Sequence, residues 1–183
     1  MPKLIHGFRL STPDAPGYPD RVQVLNSDTG DMVVYESNRF RTNPDSFQPA
    51  KDSPTGQQRT WQEAYTRIAP TGADGIPWIC TTTKKHGVCI QLNPQPDSTG
   101  GPVPVMEPDP NNHGLMYALD VEIHCGFSPG WPGSKACQTV HPGDWQTFLG
   151  HFFLGDKGIF ILTDETDTGE DTLIVNPSDL DKP

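Results

Sequence analysis

The amino-acid sequence predicts a mainly β fold, organised as a single domain over residues 1–183. Short runs rich in β-branched and aromatic residues recur along the chain, and turn-forming residues separate them. The 183 residues include 18 Gly and 20 Pro, which indicates long loops. Because the Pro- and Gly-rich stretches recur throughout and no internal repeat is found, we expect one domain without a linker.

Seven segments have the alternating or β-branched pattern of strands. Asp28–Asp31 separates the first two segments and Lys84–Gly87 separates the next two, and both connections carry the turn residues of hairpins. We therefore expect local antiparallel pairing. In chain order, the predicted strands are Val22–Leu25, Met32–Tyr35, Trp78–Thr83, Val88–Leu92, Leu115–His124, Gly158–Thr163 and Thr172–Val175.

One or two helices are expected to pack on this sheet. Late in the chain, apolar residues follow the spacing i, i+3, i+4, i+7, with Pro142 near the start of the segment and Gly155 just beyond its end. A second, weaker helix is predicted over Thr60–Ile68, where Pro70 would stop it. The apolar face of the late helix consists of Trp145, Phe148, Leu149 and Phe152.

The charge of the chain bears on its partners. Its 13 Lys and Arg against 23 Asp and Glu give a formal net charge of −10, which repels phosphate backbones and anionic lipid headgroups. The first residues lack the apolar run of a secretory signal, and no stretch approaches the roughly 18 apolar residues of a membrane span. We therefore expect a soluble protein that neither binds nucleic acid nor inserts into membranes.

The chemistry-bearing segment runs from Leu115 to Trp145. In a continuous strand, Tyr117, Leu119, Val121 and Ile123 would face inward, and His124 would end the strand on the polar face. A Gly- and Pro-rich loop then leads to Cys137, 13 residues further on. An imidazole next to a thiol can remove its proton and stabilise the thiolate, so we expect a Cys–His couple with a depressed thiol pKa.

At these residues the sequence resembles a known enzyme family. His124-Cys125-Gly126 and Ser134-Lys135-Ala136-Cys137 resemble the His-x-Gly and Ser-x-Gly-Cys signature of the L,D-transpeptidase-like (YkuD-type) peptidoglycan enzymes. The continuation through Gln138, Thr139 and Val140 to Pro142 and Trp145 is similar to phage and bacterial peptidoglycan-lytic relatives. The resemblance covers about 25 residues of the chain.

The resemblance implies a β-sandwich or barrel domain whose cysteine attacks a peptide bond in a peptidoglycan stem peptide. Cys137 would be the nucleophile, His124 the base and Ser134 a supporting polar group, with backbone N–H groups as the oxyanion hole. The acyl-enzyme would pass to water or to an amine, and neither a cofactor nor a metal is needed. Substrate contacts are expected from Gly126, Trp131, Lys135, Ala136 and Gln138.

Two departures from the family pattern bear on the reaction. Ala136 stands where the family has Gly before the nucleophile, and Thr139 stands where an Arg often follows it. The loss of a carboxylate-binding Arg favours a hydrolytic enzyme, of carboxypeptidase or endopeptidase type, over a crosslinking one.

The expected site of action is the bacterial cell wall or periplasm. Because no signal peptide is apparent, the chain would arrive through phage lysis, as an endolysin, or through a specialised secretion route, as an antibacterial effector. An effector toxin of this kind would have an immunity protein as a partner.

Two other functions compete with this hypothesis. The first is a non-catalytic cell-wall-binding or phage structural module of the same fold, for which Ala136 and Thr139 argue. The second is a zinc peptidase using His113, Asp120 and His124. A continuous strand would separate Asp120 from His124 by roughly 13 Å, too far for one metal ion, so no metal site is predicted.

The remaining candidates have more ordinary explanations. Cys80 and Cys89 lie in the two arms of one predicted hairpin, and their disulfide state is left open. Cys125 is expected to point into the core, and His86 to be solvated in the hairpin turn. The acidic stretch 163–171 is expected to be a solvated loop.

Overall fold

The computed structural model describes residues 3–12, 15–26, 32–44, 66–97 and 99–166. These residues form ten strands and one helix. The elements are β1 (Lys3–Arg9), β2 (Asp20–Asn26), β3 (Val33–Arg41), β4 (Ile76–Thr83), β5 (Gly87–Leu92), β6 (Val103–Asp109), β7 (Leu115–Ala118), β8 (Glu122–Cys125), β9 (Gln138–Val140), α1 (Pro142–Leu149) and β10 (Lys157–Asp164).

Eight of the strands close into a barrel in the order β1-β10-β4-β5-β8-β9-β3-β2. The pairs β1–β10 and β8–β9 are parallel, and the other neighbouring pairs of the barrel are antiparallel. β6 and β7 form a separate antiparallel ribbon. The mainly β class predicted from the sequence is confirmed.

Alternation along the strands fills the barrel. β2 buries Val22 and Val24 while the residues between them are half-buried, as expected for a strand with one face on the core. α1 packs against β3, β8 and β9 and buries Trp145 and Phe148. Gly158 of β10 is required by packing, because a Cβ there would lie 1.9 Å from the Lys3 carbonyl oxygen.

A buried polar layer ties the first and last strands of the barrel together. The Arg9 side chain is fully buried, and its Nη1 donates to Asp164 Oδ2 over 2.9 Å. Arg9 Nη2 donates to the Ile68 carbonyl at 2.9 Å. The buried Asp20 carboxylate accepts from Leu10 N at 2.9 Å and from Thr42 N at 2.7 Å. Each buried charge is therefore paired or hydrogen-bonded, as a dry interior requires.

Predicted and observed strands agree best where the pairing is local. Val22–Leu25 and Met32–Tyr35 correspond to β2 and the start of β3, with Val24 opposite Tyr35. Trp78–Thr83 and Val88–Leu92 lie in the hairpin β4–β5, and Gly158–Thr163 lies in β10. The sequence interpretation missed β1, the Pro-containing β6 and the three-residue β9.

The predicted continuous strand Leu115–His124 is wrong. It breaks after Ala118 and resumes at Glu122 as β8, in a different sheet. Asp120 lies in the break with a φ of +52°, a left-handed conformation that ends a strand. Leu119 is consequently exposed, although alternation predicts it to face the core.

The late helix is confirmed with a shorter extent. His141 caps its N-terminus by accepting from Gly143 N through Nδ1 at 3.0 Å, and Pro142 occupies its first turn. It ends at Leu149 with Gly150 as its C-cap, and Phe152 packs into the core beyond the helix end. Gly155, expected to stop the helix, lies in the turn before β10.

Several expectations fall wholly or partly outside the described residues. These are the turn Asp28–Asp31, the strand Thr172–Val175, and most of the predicted helix Thr60–Ile68 and of the acidic stretch 163–171. The described end of that helix segment is not helical, because Ile68 forms an isolated antiparallel bridge with Val105. Within the described residues, no helix combines the length and apolarity needed to cross a membrane.

Candidate active site

A cavity of about 470 Å³ opens where the β4–β5 turn, the β6–β7 ribbon, β8 and the loop before β9 meet. Six of the eight site residues predicted from the sequence line it: His124, Trp131, Ser134, Lys135, Ala136 and Cys137. The structure therefore brings the predicted nucleophile and the predicted base to one concave surface. Lining residues that sequence reasoning did not single out for the site include Lys85, His86, Asp109 and Asn111.

The parallel pairing of β8 with β9 sets the position of Cys137. His124 lies opposite Thr139 and Ile123 opposite Gln138, so Cys137 continues this register opposite Glu122. Residues opposite each other share a face of the sheet, and so do residues two apart in one strand. Cys137 therefore lies on the same face as Glu122 and His124.

The thiol of Cys137 is held by backbone groups of the strand break. Glu122 N donates to Cys137 Sγ over 3.3 Å, and the Sγ–H is directed to the Asp120 carbonyl at 3.8 Å. Gly100 fixes the break, because its N donates to Asp120 Oδ1 at 2.7 Å and its carbonyl accepts from Asp120 N at 3.3 Å. The interruption that sequence reasoning missed is thus the feature that holds the thiol.

The tautomer of His124 follows from a hydrogen bond of its ring. The ring is buried, and Nδ1 lies 2.7 Å from the carbonyl oxygen of Cys125. A carbonyl can only accept, so Nδ1 carries the proton and Nε2 keeps its lone pair. Among the described residues, His124 forms no hydrogen bond with Cys137. In this tautomer Nε2 is the basic nitrogen of the ring.

Both members of the pair are uncharged at neutral pH. Burial raises the pKa of the Cys137 thiol to about 11, which outweighs the opposing hydrogen bond from Glu122 N. Burial and then the adjacent His86 lower the pKa of His124 to about 4. The expected depressed thiol pKa is therefore wrong, because desolvation disfavours the thiolate more than the Glu122 N–H and Lys85 stabilise it.

His86 is the main residue that sequence reasoning placed wrongly. It was expected to be solvated, but its ring stacks on His124 with centroids 3.7 Å apart and planes 8° apart. Its Nδ1 is paired with Glu122 Oε2. Burial raises the pKa of Glu122, but the hydrogen bond and charge of His86 outweigh this and lower it overall. The sequence did carry one indication of a polar cluster here, because Glu122, the partner of His86, shares the predicted strand face of His124.

Ser134 supports the end of the loop before β9. Its Oγ donates to the Cys137 carbonyl over 2.5 Å, which orients the backbone of the proposed nucleophile. Gly126 and Gln138 do not line the cavity. A Cβ on Gly126 would lie 1.8 Å from the Tyr18 hydroxyl, so this glycine serves packing. Gln138 is fully buried and donates to the Thr42 and Ala136 carbonyls.

The other predicted substrate contacts form the cavity wall. Trp131 is buried, forms a two-way backbone bridge with Ser128 and lies edge-on to the exposed Phe127 ring. It is therefore both a wall of the cavity and an anchor of its loop. Lys135 is exposed and donates to Asn111 Oδ1 at 3.2 Å, while Ala136 is half-buried beside it.

The four cysteines are all free thiols. Thr81 and not Cys80 lies opposite Cys89, so Cys80 and Cys89 point to opposite faces of the β4–β5 hairpin. The three-residue turn Lys84–His86, followed by Gly87 with a φ of +69°, fixes this register. Cys125 packs against the core as expected.

The zinc alternative depends on His113, Asp120 and His124. Among the described residues, no three His, Cys, Asp or Glu side chains converge as a metal site would need. His113 is exposed in the turn of the β6–β7 ribbon. The strand break removes the distance argument against a zinc site, but the ligand set is not assembled.

Comparisons with known proteins identify no relative. No family model matches the chain, and neither the curated proteins nor the solved structures contain a match.

Proposed function

We propose that the protein is a cysteine-dependent peptidase of peptidoglycan stem peptides, with the fold and chemistry of the L,D-transpeptidase-like enzymes. The observation that carries this proposal is the position of Cys137 and His124 on one sheet face of one cavity, with His124 Nε2 free to accept a proton. The His-Cys-Gly and Ser-Lys-Ala-Cys sequences around the two residues support the same reaction.

The neutral pair defines how the reaction proceeds. As Cys137 Sγ attacks the carbonyl carbon of the scissile peptide bond, the S–H proton passes to His124 Nε2 and a tetrahedral oxyanion forms. Collapse breaks the C–N bond, and His124 returns the proton to the leaving amine. Water, or an acceptor amine, then attacks the thioester and regenerates the thiol. Because neither group is charged at rest, proton transfer and attack are coupled.

Two lysines give the cavity groups that can hold a substrate carboxylate, alongside the lining carboxylates Asp109 and Asp120. Thr139, at the position where the family often has Arg, is fully buried in the barrel wall and cannot bind a substrate carboxylate. Lys85 and Lys135 are exposed cavity residues and provide the cationic groups instead. A stem peptide, which carries carboxylates, would be held here despite a net charge of −10.

The expected place of action follows from the substrate. Peptidoglycan stem peptides occur at the bacterial wall, so the protein would act in the periplasm or at the wall after phage lysis or specialised secretion. An immunity protein that covers the cavity would be the partner if the protein is a secreted effector.

The test is mass spectrometry of purified tetrapeptide and crosslinked muropeptides after incubation with the protein. We expect loss of a terminal D-Ala, cleavage of a crosslink, or a new crosslink with the wild type. Cys137→Ala should abolish the product, whereas Cys125→Ala, which changes a thiol outside the cavity lining, should retain it. Chelator should have no effect, since the mechanism needs no metal.

A non-catalytic wall-binding module is the second candidate. The high pKa of the Cys137 thiol, raised by burial to about 11, favours it, because such a thiol is a weak nucleophile at rest. Unchanged muropeptides combined with co-sedimentation of the folded wild type with isolated sacculi would establish this function in place of the peptidase.

A further inference from the structure

His86 and Glu122 form a second polar pair directly against the proposed base. The His86 ring lies parallel to His124 at a centroid distance of 3.7 Å, with 8° between the planes. Glu122 is buried, and its Oε2 is paired with His86 Nδ1. The muropeptide reaction described above gives neither residue a role. A buried carboxylate such as Glu122 needs a hydrogen-bonded partner, because its desolvation is costly.

The backbone holds this arrangement in place from both sides. His86 ends the three-residue turn between β4 and β5, and its N donates to Thr83 Oγ1 at 3.2 Å. β5 pairs directly with β8, with Gln91 opposite Glu122. The turn therefore cannot move far from His124 without disturbing two adjacent barrel strands.

Glu122 contacts Cys137 directly and reaches His124 through His86. Its backbone N donates to Cys137 Sγ over 3.3 Å, and its carboxylate anchors the ring that covers His124. A shift of Glu122 would therefore move both its contact with the Cys137 thiol and the His86 ring that stacks on His124. The geometry thus couples the nucleophile to the surroundings of the base through one residue.

Stacking also places a charge next to His124. The His86 ring lies one ring stack from His124, and its charge is the second cause, after burial, that lowers the pKa of His124. Lys85, from the same turn, adds in the same direction, whereas the Glu122 carboxylate acts against them. Asp109, Asp120 and Lys135 line the same cavity from the β6–β7 ribbon, the strand break and the loop before β9.

We propose that His86 is a positioning residue which, anchored by Glu122, fixes the ring plane of His124 and keeps its Nε2 unprotonated in acidic solution. The catalytic consequence rests on the proposed peptidase function. The effect on the protonation of His124 does not, since it follows from the stacked pair alone. Together with burial, His86 extends the pH range in which the site holds a base to more acidic values.

The test is an NMR titration of the His124 ring signals in the full-length protein, without substrate. His86→Phe keeps an aromatic ring on His124 but removes the charge and the pairing with Glu122. We expect the midpoint of His124 protonation to rise by about one pH unit. His86→Arg restores a planar cation that can stack and pair with a carboxylate, and its midpoint should return to that of the wild type.

The control is His113→Phe, which changes an exposed histidine in the β6–β7 turn and should leave the His124 midpoint unchanged. Equal midpoints in wild type and His86→Phe would overturn the proposal, as would a shift in His86→Phe that His86→Arg does not reverse. Should His86→Phe fail to fold, the comparison of His86→Arg with His86→Gln decides the question in the same way.

Activity provides a separate readout. If the peptidase function holds, the acidic limb of the kcat/KM profile moves with the NMR midpoint in each variant. A shifted midpoint without muropeptide turnover in any variant would refute the peptidase function while supporting the role of His86.

Discussion

The chemistry of Cys137 is determined by burial more than by its neighbours. The backbone of the strand break surrounds its thiol, and desolvation raises its pKa to about 11. Sequence reasoning identified Cys137 and His124 because both lie in a short local motif. It missed His86 because the contact with His124 depends on the pairing of β5 with β8, which no local pattern specifies.

This burial predicts slow alkylation of Cys137 at neutral pH. A thiol with a pKa near 11 is ionised to about one part in 10⁴ at pH 7, and the reactive species is the thiolate. In Cys125→Ala protein, the rate of iodoacetamide modification at Cys137 should rise about tenfold per pH unit from pH 7 to pH 10. The measurement is intact mass with peptide mapping, and a rate that levels off below pH 8 would contradict the account.

At the scale of elements, the break between β7 and β8 determines the site. Alternation alone predicts one strand over Leu115–His124, because every second residue is apolar. The contacts between Gly100 and Asp120 that end the strand involve segments 20 residues apart. Sequence periodicity cannot represent such a contact, whereas the local β4–β5 hairpin and the amphipathic face of α1 were predictable.

The break predicts a specific effect of Gly100→Ala. An added Cβ would lie 2.2 Å from Gln91 Nε2 and 2.7 Å from Asp120 Cα. We expect a loss of about 1–3 kcal/mol in the free energy of unfolding and a loss of muropeptide turnover as the thiol contacts shift. Urea denaturation and the muropeptide assay measure the two effects.

Gly130→Ala is the matched control for this substitution. Gly130 has no atom within 4 Å of an added Cβ, so its stability should change by less than about 0.5 kcal/mol. Equal stability of the two alanine variants would show that the break tolerates displacement.

At the scale of the whole molecule, closure of the barrel joins its first and last described strands. β1 pairs with β10 in parallel, from Lys3 opposite Gly158 to Arg9 opposite Asp164. The composition and local patterns predict a mainly β fold, but this pairing spans about 155 residues and leaves no periodic signal. The strand order of the barrel was therefore not predictable, and β1 was not recognised as a strand.

The buried pair Arg9–Asp164 predicts how the barrel responds to mutation and pH. Arg9→Met leaves a buried carboxylate without its cation and should cost about 3–5 kcal/mol in urea denaturation at pH 7. Burial raises the pKa of Asp164, but hydrogen bonds from Thr166 and Arg9 outweigh this and lower it. The stabilisation by the Arg9–Asp164 pair is thus fully present above the unfolded-state pKa of an Asp, about 3.9. It is lost as the pH falls through the lower folded-state pKa of Asp164.

The difference in the free energy of unfolding between wild type and Arg9→Met should therefore become smaller below about pH 4. Lys157→Met, at an exposed position at the start of β10, is the charge-matched control and should change stability by less than about 1 kcal/mol. A pH-independent difference for Arg9→Met would refute the contribution of the ion pair.

The most direct test of the central claim is detection of the thioester on Cys137. The wild-type protein, mixed with a stem tetrapeptide and quenched in acid within one turnover, should gain the mass of the acyl fragment. Peptide mapping should assign this mass to Cys137, and Cys137→Ala should remain unmodified. Turnover of the peptide without an adduct on Cys137, or turnover retained in Cys137→Ala, would contradict the mechanism.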